Sequence, residues 1–380
     1  MRALIVGAGI GGLTAAAALR RAGHDVLVLE RARELEEVGA GISLWPNAIR
    51  ALRKLGLGAE VEAAGEPVRD GSLRTWRGRR LPALDPGRLE ARFGAPLMMF
   101  HRAELHRVLH RAAGGDAVRL GAECAGVEQE ADAVTVRLQG GCSERGDLAV
   151  GADGIRSTVR AAVAGESAPL YSGLTSWRAV VELDGSLAER VPSGESWGRG
   201  SLFGFARLPG GRLYWYAAAR ARRGGGDGLG EKERLGRFFA RWHEPIPEVI
   251  DATPPGAIIR TDLYDRPPLR SWSSGRVALL GDAAHPMLPN LGQGGCQAIE
   301  DAVALADALG VTADVLAALD AYCARRVRPA GRAVRQSRQM ARLAHLVGPA
   351  VFGRNLALRL APSSFALKRL APILGGDANA

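Results

Sequence analysis

Residues 1–30 read MRALIVGAGIGGLTAAAALRRAGHDVLVLE, and this stretch decides the fold. Arg2 to Val6 is a short apolar run suited to a buried strand. Leu13 to Arg21 is alanine-rich and helix-forming, and Asp25 to Leu29 is a second apolar run. Between the first run and the helix stands Gly7-x-Gly9-x-x-Gly12, with Gly11 inside the same turn. In that context the first glycine makes the tight turn, and the second lets backbone approach a pyrophosphate. The third lets helix and strand pack closely. The helix start adds free N–H groups and partial positive charge. Glu30, followed by Arg31, ends the second strand about 20 residues on, where a carboxylate reaches a ribose hydroxyl. Strand, glycine turn, helix and strand in this order predict a parallel sheet that binds a dinucleotide.

The remaining bulk properties narrow the class. A chain of 380 residues exceeds one small core and predicts two lobes. No run of about 18 apolar residues occurs, so no integral membrane segment is expected. The glycines interrupting the N-terminal apolar stretch argue against a secretory signal. Cys124, Cys142, Cys296 and Cys323 form no C-x-x-C pair, which fits a reducing, cytoplasmic compartment and predicts no metal site. The net charge is +10, almost all of it arginine. The arginines are spread without aromatic interleaving, so the charge predicts attraction for anionic small molecules and no nucleic-acid partner.

Further along, helices are predicted over Pro46–Leu57 and Arg102–Ala112, and an antiparallel meander from Ala117 to Leu138. A strand-like run ends at Gly151-Ala152-Asp153-Gly154. From about residue 166 the pattern becomes β-rich, with runs at Leu174–Leu183, Ser201–Leu208 and Arg212–Arg220, then a helix at Glu231–His243. The piece Gly224 to Gly228 reads as a loop. Helical spacing returns after Gly275, with a long helix expected at Asp314–His345, kinked at Pro329. The tail from Val351 to Leu374 is amphipathic and basic. The expected organisation is an α/β Rossmann-type dinucleotide-binding domain in two parts, 1–165 and 270–345, with an inserted mixed β-sheet substrate domain, 166–269. A C-terminal helical tail, 346–380, completes it.

Two later stretches choose between dinucleotides. Gly39-Ala40-Gly41-Ile42 follows Glu30 where a bound FAD would pass. Gly281-Asp282 ends an apolar strand, and Leu291 to Gly295 opens a helix. An aspartate there accepts hydrogen bonds from a polyol, and FAD carries a ribityl chain that NAD lacks. Backbone N–H groups at the helix start suit a ring carbonyl and negative charge on a reduced ring.

Three motifs, Gly7–Gly12 with Glu30, Gly151-Ala-Asp-Gly-Ile-Arg-Ser157 and Gly281-Asp-Ala-Ala-His-Pro286, together resemble the single-component FAD-dependent aromatic hydroxylases. The likeness is greatest to the salicylate, hydroxynicotinate and urate hydroxylase branch. Leu291–Ala302 and Trp45-Pro46-Asn47 extend it. The resemblance implies that Gly7, Gly9, Gly12 and Glu30 hold the ADP half of FAD and that Arg102 contacts the cofactor. Asp153 and Arg156 would belong to the motif serving FAD and NAD(P)H. Asp282 would bind the ribityl chain, and Pro289, Gly292, Gly294 and Gly295 would line the flavin ring. It further implies NADH or NADPH as transient reductant, O2 as oxidant, and hydroxylation of a small aromatic substrate through a flavin hydroperoxide.

No catalytic residue follows with certainty; Tyr214, His285 and Pro286 are the candidates, with His285 more naturally structural. Trp177, Phe203, Phe205, Tyr214, Tyr216 and Met287 are substrate-binding candidates, for which ordinary core packing is the competing reading. Arg178, Arg207 and Arg220 are open alternatives for a substrate carboxylate. An epoxidase or other flavin oxidoreductase on the same scaffold, and a non-catalytic flavin-binding protein, remain alternatives. The expected assembly is a monomer or homodimer.

Overall fold

The computed structural model describes residues 1–35, 40–183, 185–225, 230–362 and 364–375. Gly39, and Gly226 to Gly228 of the expected loop, lie outside the described residues. The protein is a mixed α/β structure built on two large sheets.

The first has six strands in the order Ser273–Ser274, Val277–Leu279, Leu148–Gly151, Arg2–Val6, Asp25–Leu29, Val118–Arg119. All pairings are parallel except the edge pair of Ser273–Ser274 with Val277–Leu279. Ala3, Leu4 and Ile5 are buried, as expected of a strand covered on both faces. The helix Ile10–Arg21 packs on this sheet and against the helix Gly294–Val311. This order sets the carboxyl ends of Arg2–Val6, Leu148–Gly151 and Val277–Leu279 side by side. Each end runs into one of the motifs read from the sequence, and open α/β sheets bind ligands at such carboxyl ends.

Val118–Arg119 departs from the expected meander. It joins the parallel sheet because the Glu30 N–H donates to the Arg119 carbonyl at 2.9 Å and Ala122 N–H to the Glu30 carbonyl at 2.8 Å. The meander itself is Cys124–Gln129, Val134–Leu138 and Ser143–Gly146. The helix expected over Pro46–Leu57 stops at Lys54, since Gly56 turns the chain at φ +74° before a new helix, Gly58–Ala63. Pro329 lies inside the helix Val315–Ala344.

The second sheet has seven strands in the order Ile259–Asp265, Leu170–Val181, Leu213–Arg220, Ser201–Arg207, Gly194–Trp197, Ser72–Thr75, Arg80–Leu81. The last two come from before residue 166, so this lobe is not one contiguous insert. Gly194 permits the junction: a Cβ there would lie 2.0 Å from the Ser72 carbonyl oxygen. One face of the sheet, with Trp177, Phe203, Phe205 and Trp215, packs under the helices Glu231–Phe239 and Ile246–Ala252. Alternation turns Tyr214, Tyr216, Leu202 and Ala218 to the opposite face, toward the first lobe. The chain ends in the helices Ala350–Leu360 and Ser364–Leu374.

Candidate active site

The glycine turn after Arg2–Val6 is sterically closed at two places and open at one. A Cβ on Gly12 would sit 1.9 Å from the Gly7 carbonyl oxygen, and one on Gly7, at φ +105°, 2.6 Å from the Ala152 carbonyl oxygen. A Cβ on Gly9 would meet no protein atom within 4 Å. Gly9 caps the helix Ile10–Arg21 with no side chain across its first N–H groups. Gly11 faces inward against Leu280 and Ala298, and so serves packing.

Glu30 accepts from the Ala8 N–H at 2.7 Å through Oε2 and from the Ala32 N–H at 2.9 Å through Oε1. An ionised carboxylate has about four acceptor positions, so capacity remains for a ribose. His106, not singled out in the sequence, holds the same turn by donating from Nε2 to the Ala8 carbonyl at 2.7 Å. Burial lowers its pKa, and the bond to Ala8 opposes that shift. Arg31 is exposed.

The second motif is pinned to the third. Asp153 Oδ2 accepts from the N–H groups of Thr158 (2.7 Å) and Val159 (3.2 Å), which closes the Asp153–Val159 turn. Arg160, buried and missed by the sequence reading, donates from Nη1 to the carbonyls of Ala283 (2.7 Å) and Ala284 (3.1 Å). Arg156 is exposed.

In the third motif Asp282 stands beside the start of Gly294–Val311; a Cβ on Gly294 would lie 3.9 Å from its Oδ1. Asp282 is exposed. Protein nevertheless crowds it enough to push its carboxyl up, with His285 and Arg102 pulling the other way. Burial lowers the Arg102 guanidinium, nearby Arg178 adds to this, and Asp282 opposes it. Arg102, Arg178 and Asp282 are therefore one electrostatic group. The Arg178 Nε is buried without a hydrogen-bond partner among the described residues. Pro289 is exposed in a single 3-10 turn, Gly292 follows in the left-handed region at φ +60°, and Gly294 and Gly295 open the long helix. A Cβ on Gly295 would press on Ile42 at 3.1 Å.

His285 is turned toward a buried carboxylate. Its Nε2 lies 2.5 Å from Asp301 Oδ2, and Asp301 Oδ1 accepts from Arg326 Nε at 2.7 Å. The ring packs on Trp272 with centroids 4.9 Å apart. Pro286 is buried, and Met287 packs with Leu291, Leu89 and Phe93 beside the C-terminal helix. Asn47 donates to Gln293 (3.1 Å) and Glu300 (2.9 Å), so the Trp-Pro-Asn motif clasps the helix Gly294–Val311.

The aromatic candidates separate by face. Trp177, Phe203 and Phe205 lie in the helix-covered core; Phe203 is fully buried between Phe205, Trp215 and Phe239. That corrects the expectation that they reach a substrate, because strand alternation commits them to the far side of the sheet. Tyr214 and Tyr216 face the first lobe, rings 5.6 Å apart at 30°. Tyr214 lies against Gly41, where a Cβ would be 2.4 Å from its ring. Tyr216 donates to Glu195 Oε1 at 2.7 Å. Arg207 and Arg220 are tied to backbone carbonyls of Ala188 and His345. Among the described residues no cluster of His, Cys, Asp or Glu is arranged to hold a metal.

Open space beside Gly9, a free helix start and a carboxylate at a second helix start form a donor set that fits a flavin dinucleotide. These groups at the carboxyl ends of a Rossmann-type sheet, with a second sheet packed beside it, have the layout of a flavin-dependent hydroxylase scaffold. The chain belongs to the FAD binding domain family, whose model matches residues 1–337. It is 47% identical over 327 residues to an aurachin C monooxygenase/isomerase of Stigmatella aurantiaca, covering 86% of this chain and 85% of that protein. It is 38% identical over 370 residues to a 3-amino-4-hydroxybenzoate 2-monooxygenase of Streptomyces cremeus, covering 94% and 92%. The structure of Klebsiella pneumoniae HpxO complexed with FAD and uric acid superposes with a TM-score of 0.92 at 33% identity, covering 99% and 97%. The protein is thus an FAD-dependent monooxygenase using NAD(P)H and O2.

Proposed function

We propose that this monooxygenase hydroxylates an electron-rich aromatic or heteroaromatic small molecule, seated between the Met287–Gly295 loop and the Tyr214/Tyr216 face of the second sheet. The observation that carries this reading is the contact of Tyr214 with Gly41. It sets an aromatic face of the second sheet directly against the strand Gly41–Leu44, which follows Glu30 in the chain. Burial pushes the Tyr214 hydroxyl up to about 12, with Arg178 opposing. At neutral pH Tyr214 is therefore a neutral donor and a ring wall, not a general base. Arg178, on the same face and beside Arg102, adds positive charge that favours a phenolate or other anionic ring. The rings named for the relatives, 3-amino-4-hydroxybenzoate and uric acid, support the same class.

In this reading Gly7, Gly9, Gly12 and Glu30 seat the ADP half of FAD, and Asp282 accepts from its ribityl hydroxyls. Backbone N–H groups from Leu291 to Gly295 meet the ring carbonyl at the helix start. When bound, FAD carries the electrons from NAD(P)H and activates dioxygen. The chain orients the substrate ring with Tyr214 and Gly41. Leu174, Leu263, Leu288 and Ala341, which pack together behind the loop, exclude water. Residues 1–165 and 270–345 form the FAD-binding lobe. Residues 166–269, with Ser72–Thr75 and Arg80–Leu81, form the substrate lobe, and 346–380 the tail. A cytoplasmic location and a monomeric or homodimeric state belong to the same proposal; Cys124, Cys142, Cys296 and Cys323 are all unbridged.

The test is aerobic NADH and NADPH oxidation by the FAD-loaded protein against phenols, hydroxybenzoates, quinolones and purines, with peroxide and product mass followed. Stimulation with a product heavier by one oxygen and little peroxide supports the reading. Turnover of a non-aromatic alkene to an epoxide, with every ring compound inert, would replace it with the epoxidase alternative.

A further inference from the structure

The helix Ala350–Leu360 leaves an apolar ridge uncovered. Phe352, Leu356 and Leu360, spaced for one side of a helix, are 76%, 47% and 75% exposed. The other side is committed to the protein: Val351 and Arg354 are buried, and Leu358 packs by Trp197. Val347 before the helix and Phe365 in the next one add exposed apolar surface, at 50% and 47%. Isolated exposed apolar residues need no explanation, but a run of this size marks an interaction surface.

The charge around the ridge has one sign. Arg342, Arg359, Lys368 and Arg369 are exposed, and the Arg369 guanidinium stands 5.2 Å over the Phe365 ring. Ala321 to Gly376 contain eleven arginines and lysines and no aspartate or glutamate. The other 324 residues carry 39 cations against 40 carboxylates. By count the net charge of +10 comes from this one segment. Arg325, Arg326 and Arg338 pair with Asp307, Asp301 and Asp265, and Arg354 is buried, so the cations exposed on the last two helices, beside the ridge, are Arg359, Lys368 and Arg369. None of the residues placed at the flavin cleft lies on the ridge.

We propose that this face docks the protein on an anionic lipid bilayer, the ridge of Phe352, Leu356 and Leu360 entering the headgroup boundary and the flanking cations meeting lipid phosphates. Only such a surface offers hydrocarbon and dense negative charge together. A second copy of the chain fits poorly. A two-fold contact across the ridge would oppose Arg359, Lys368 and Arg369 to their own kind, with no carboxylate on either helix to neutralise them. No described helix is long and apolar enough to cross a membrane, so the contact is one of surface.

The experiment is flotation of the FAD-loaded full chain with vesicles. One set is phosphatidylcholine with about a third phosphatidylglycerol, the other phosphatidylcholine alone. Binding to the anionic set at least about tenfold stronger, and loss of that binding in 0.5 M salt, is expected from surface electrostatics. Phe352→Glu/Leu360→Glu should lower anionic binding about tenfold or more while FAD content and basal NAD(P)H oxidation stay unchanged. Arg359→Gln/Lys368→Gln/Arg369→Gln should do likewise. If the glutamate variant misfolds, Phe352→Ser/Leu360→Ser takes its place. No wild-type binding to anionic vesicles overturns the proposal, and so does equal binding to both sets. Binding unaffected by the ridge variants overturns it too. A dimer in light scattering that the ridge variants dissociate, with no flotation, would assign the surface to a second copy. Oligonucleotide binding in place of vesicle binding would assign it to nucleic acid.

Discussion

Tyr214 and Gly41 come from different lobes and touch so closely that a Cβ on Gly41 would fall 2.4 Å from Tyr214 Cδ1 and 2.5 Å from its Cγ. Either the ring or the strand Gly41–Leu44 must move to admit a methyl group. Gly41→Ala should therefore misplace the substrate wall and lower kcat/KM by roughly 10–100-fold, with more NAD(P)H lost to peroxide. The same substitution should cost much less in a Tyr214→Ala background, because the clash is gone. A double-mutant cycle on coupling efficiency measures this, and strict additivity would remove the pair from the site.

Arg160 joins two motifs more than 100 residues apart through the carbonyls of Ala283 and Ala284. Arg160→Leu leaves both carbonyls buried without their donor. A hydrogen bond to a charged group contributes about 1.5–3 kcal/mol, so a clear fall in Tm and weaker FAD retention are expected. Arg160→Lys should recover little, since one ammonium does not reproduce the planar guanidinium. Calorimetry with and without added FAD separates the two effects.

Asp282 and Gly9 test the cofactor seat from opposite ends. Asp282→Ala should raise the dissociation constant for FAD about tenfold or more, the loss of one charge-assisted hydrogen bond. Gly9→Val fills the open space beside the turn and should abolish FAD retention without unfolding, because its Cβ meets no protein atom within 4 Å. Flavin fluorescence titration reads the first. Far-ultraviolet dichroism of the flavin-free protein checks the second.

Asp301 predicts an acid-side pH dependence. Burial alone would push its carboxyl up, but His285 and Arg326 outweigh it and hold the group below the usual carboxylate range. A depressed native pKa contributes stability above the ordinary aspartate value of about 4, and that contribution is lost as pH falls through the native value. Asp301→Asn should cost roughly 1–3 kcal/mol near neutral pH, since it removes the buried charge beside Arg326 Nε while Glu300 and Gln297 stay beside its Nη2. The gap between variant and wild type should close as the pH drops below the ordinary aspartate range. Denaturant unfolding from pH 3 to 8 checks the sign; a gap that widens with acid would contradict it.

The parallel sheet was legible because Ala3–Val6 and Val26–Leu29 are apolar runs around a glycine turn with few alternative conformations. The strands of the second sheet were legible by alternation, but their facing was not. Period two says that Phe203 and Phe205 share a face; only the helices Glu231–Phe239 and Ile246–Ala252 decide that this face is core. Ser72–Thr75 and Arg80–Leu81 were missed because short edge strands carry little periodic signal, and the strand Gly194–Trp197 that ties Ser72–Thr75 into the sheet lies far off in sequence. Arg160 and His106 were not singled out, because no local feature announces that their bonds reach another motif.

The amino-acid sequence alone determined the family, the cofactor and the reaction class, because glycines and carboxylates at strand ends are constrained locally by turn geometry and by the phosphates and hydroxyls they meet. The tertiary structure alone decided which aromatic residues lie under the helices of the second sheet, that His285 is hydrogen-bonded to the buried Asp301, and that Arg160 ties two motifs together. Those outcomes depend on contacts between segments tens to hundreds of residues apart, which packing selects and local pattern does not record.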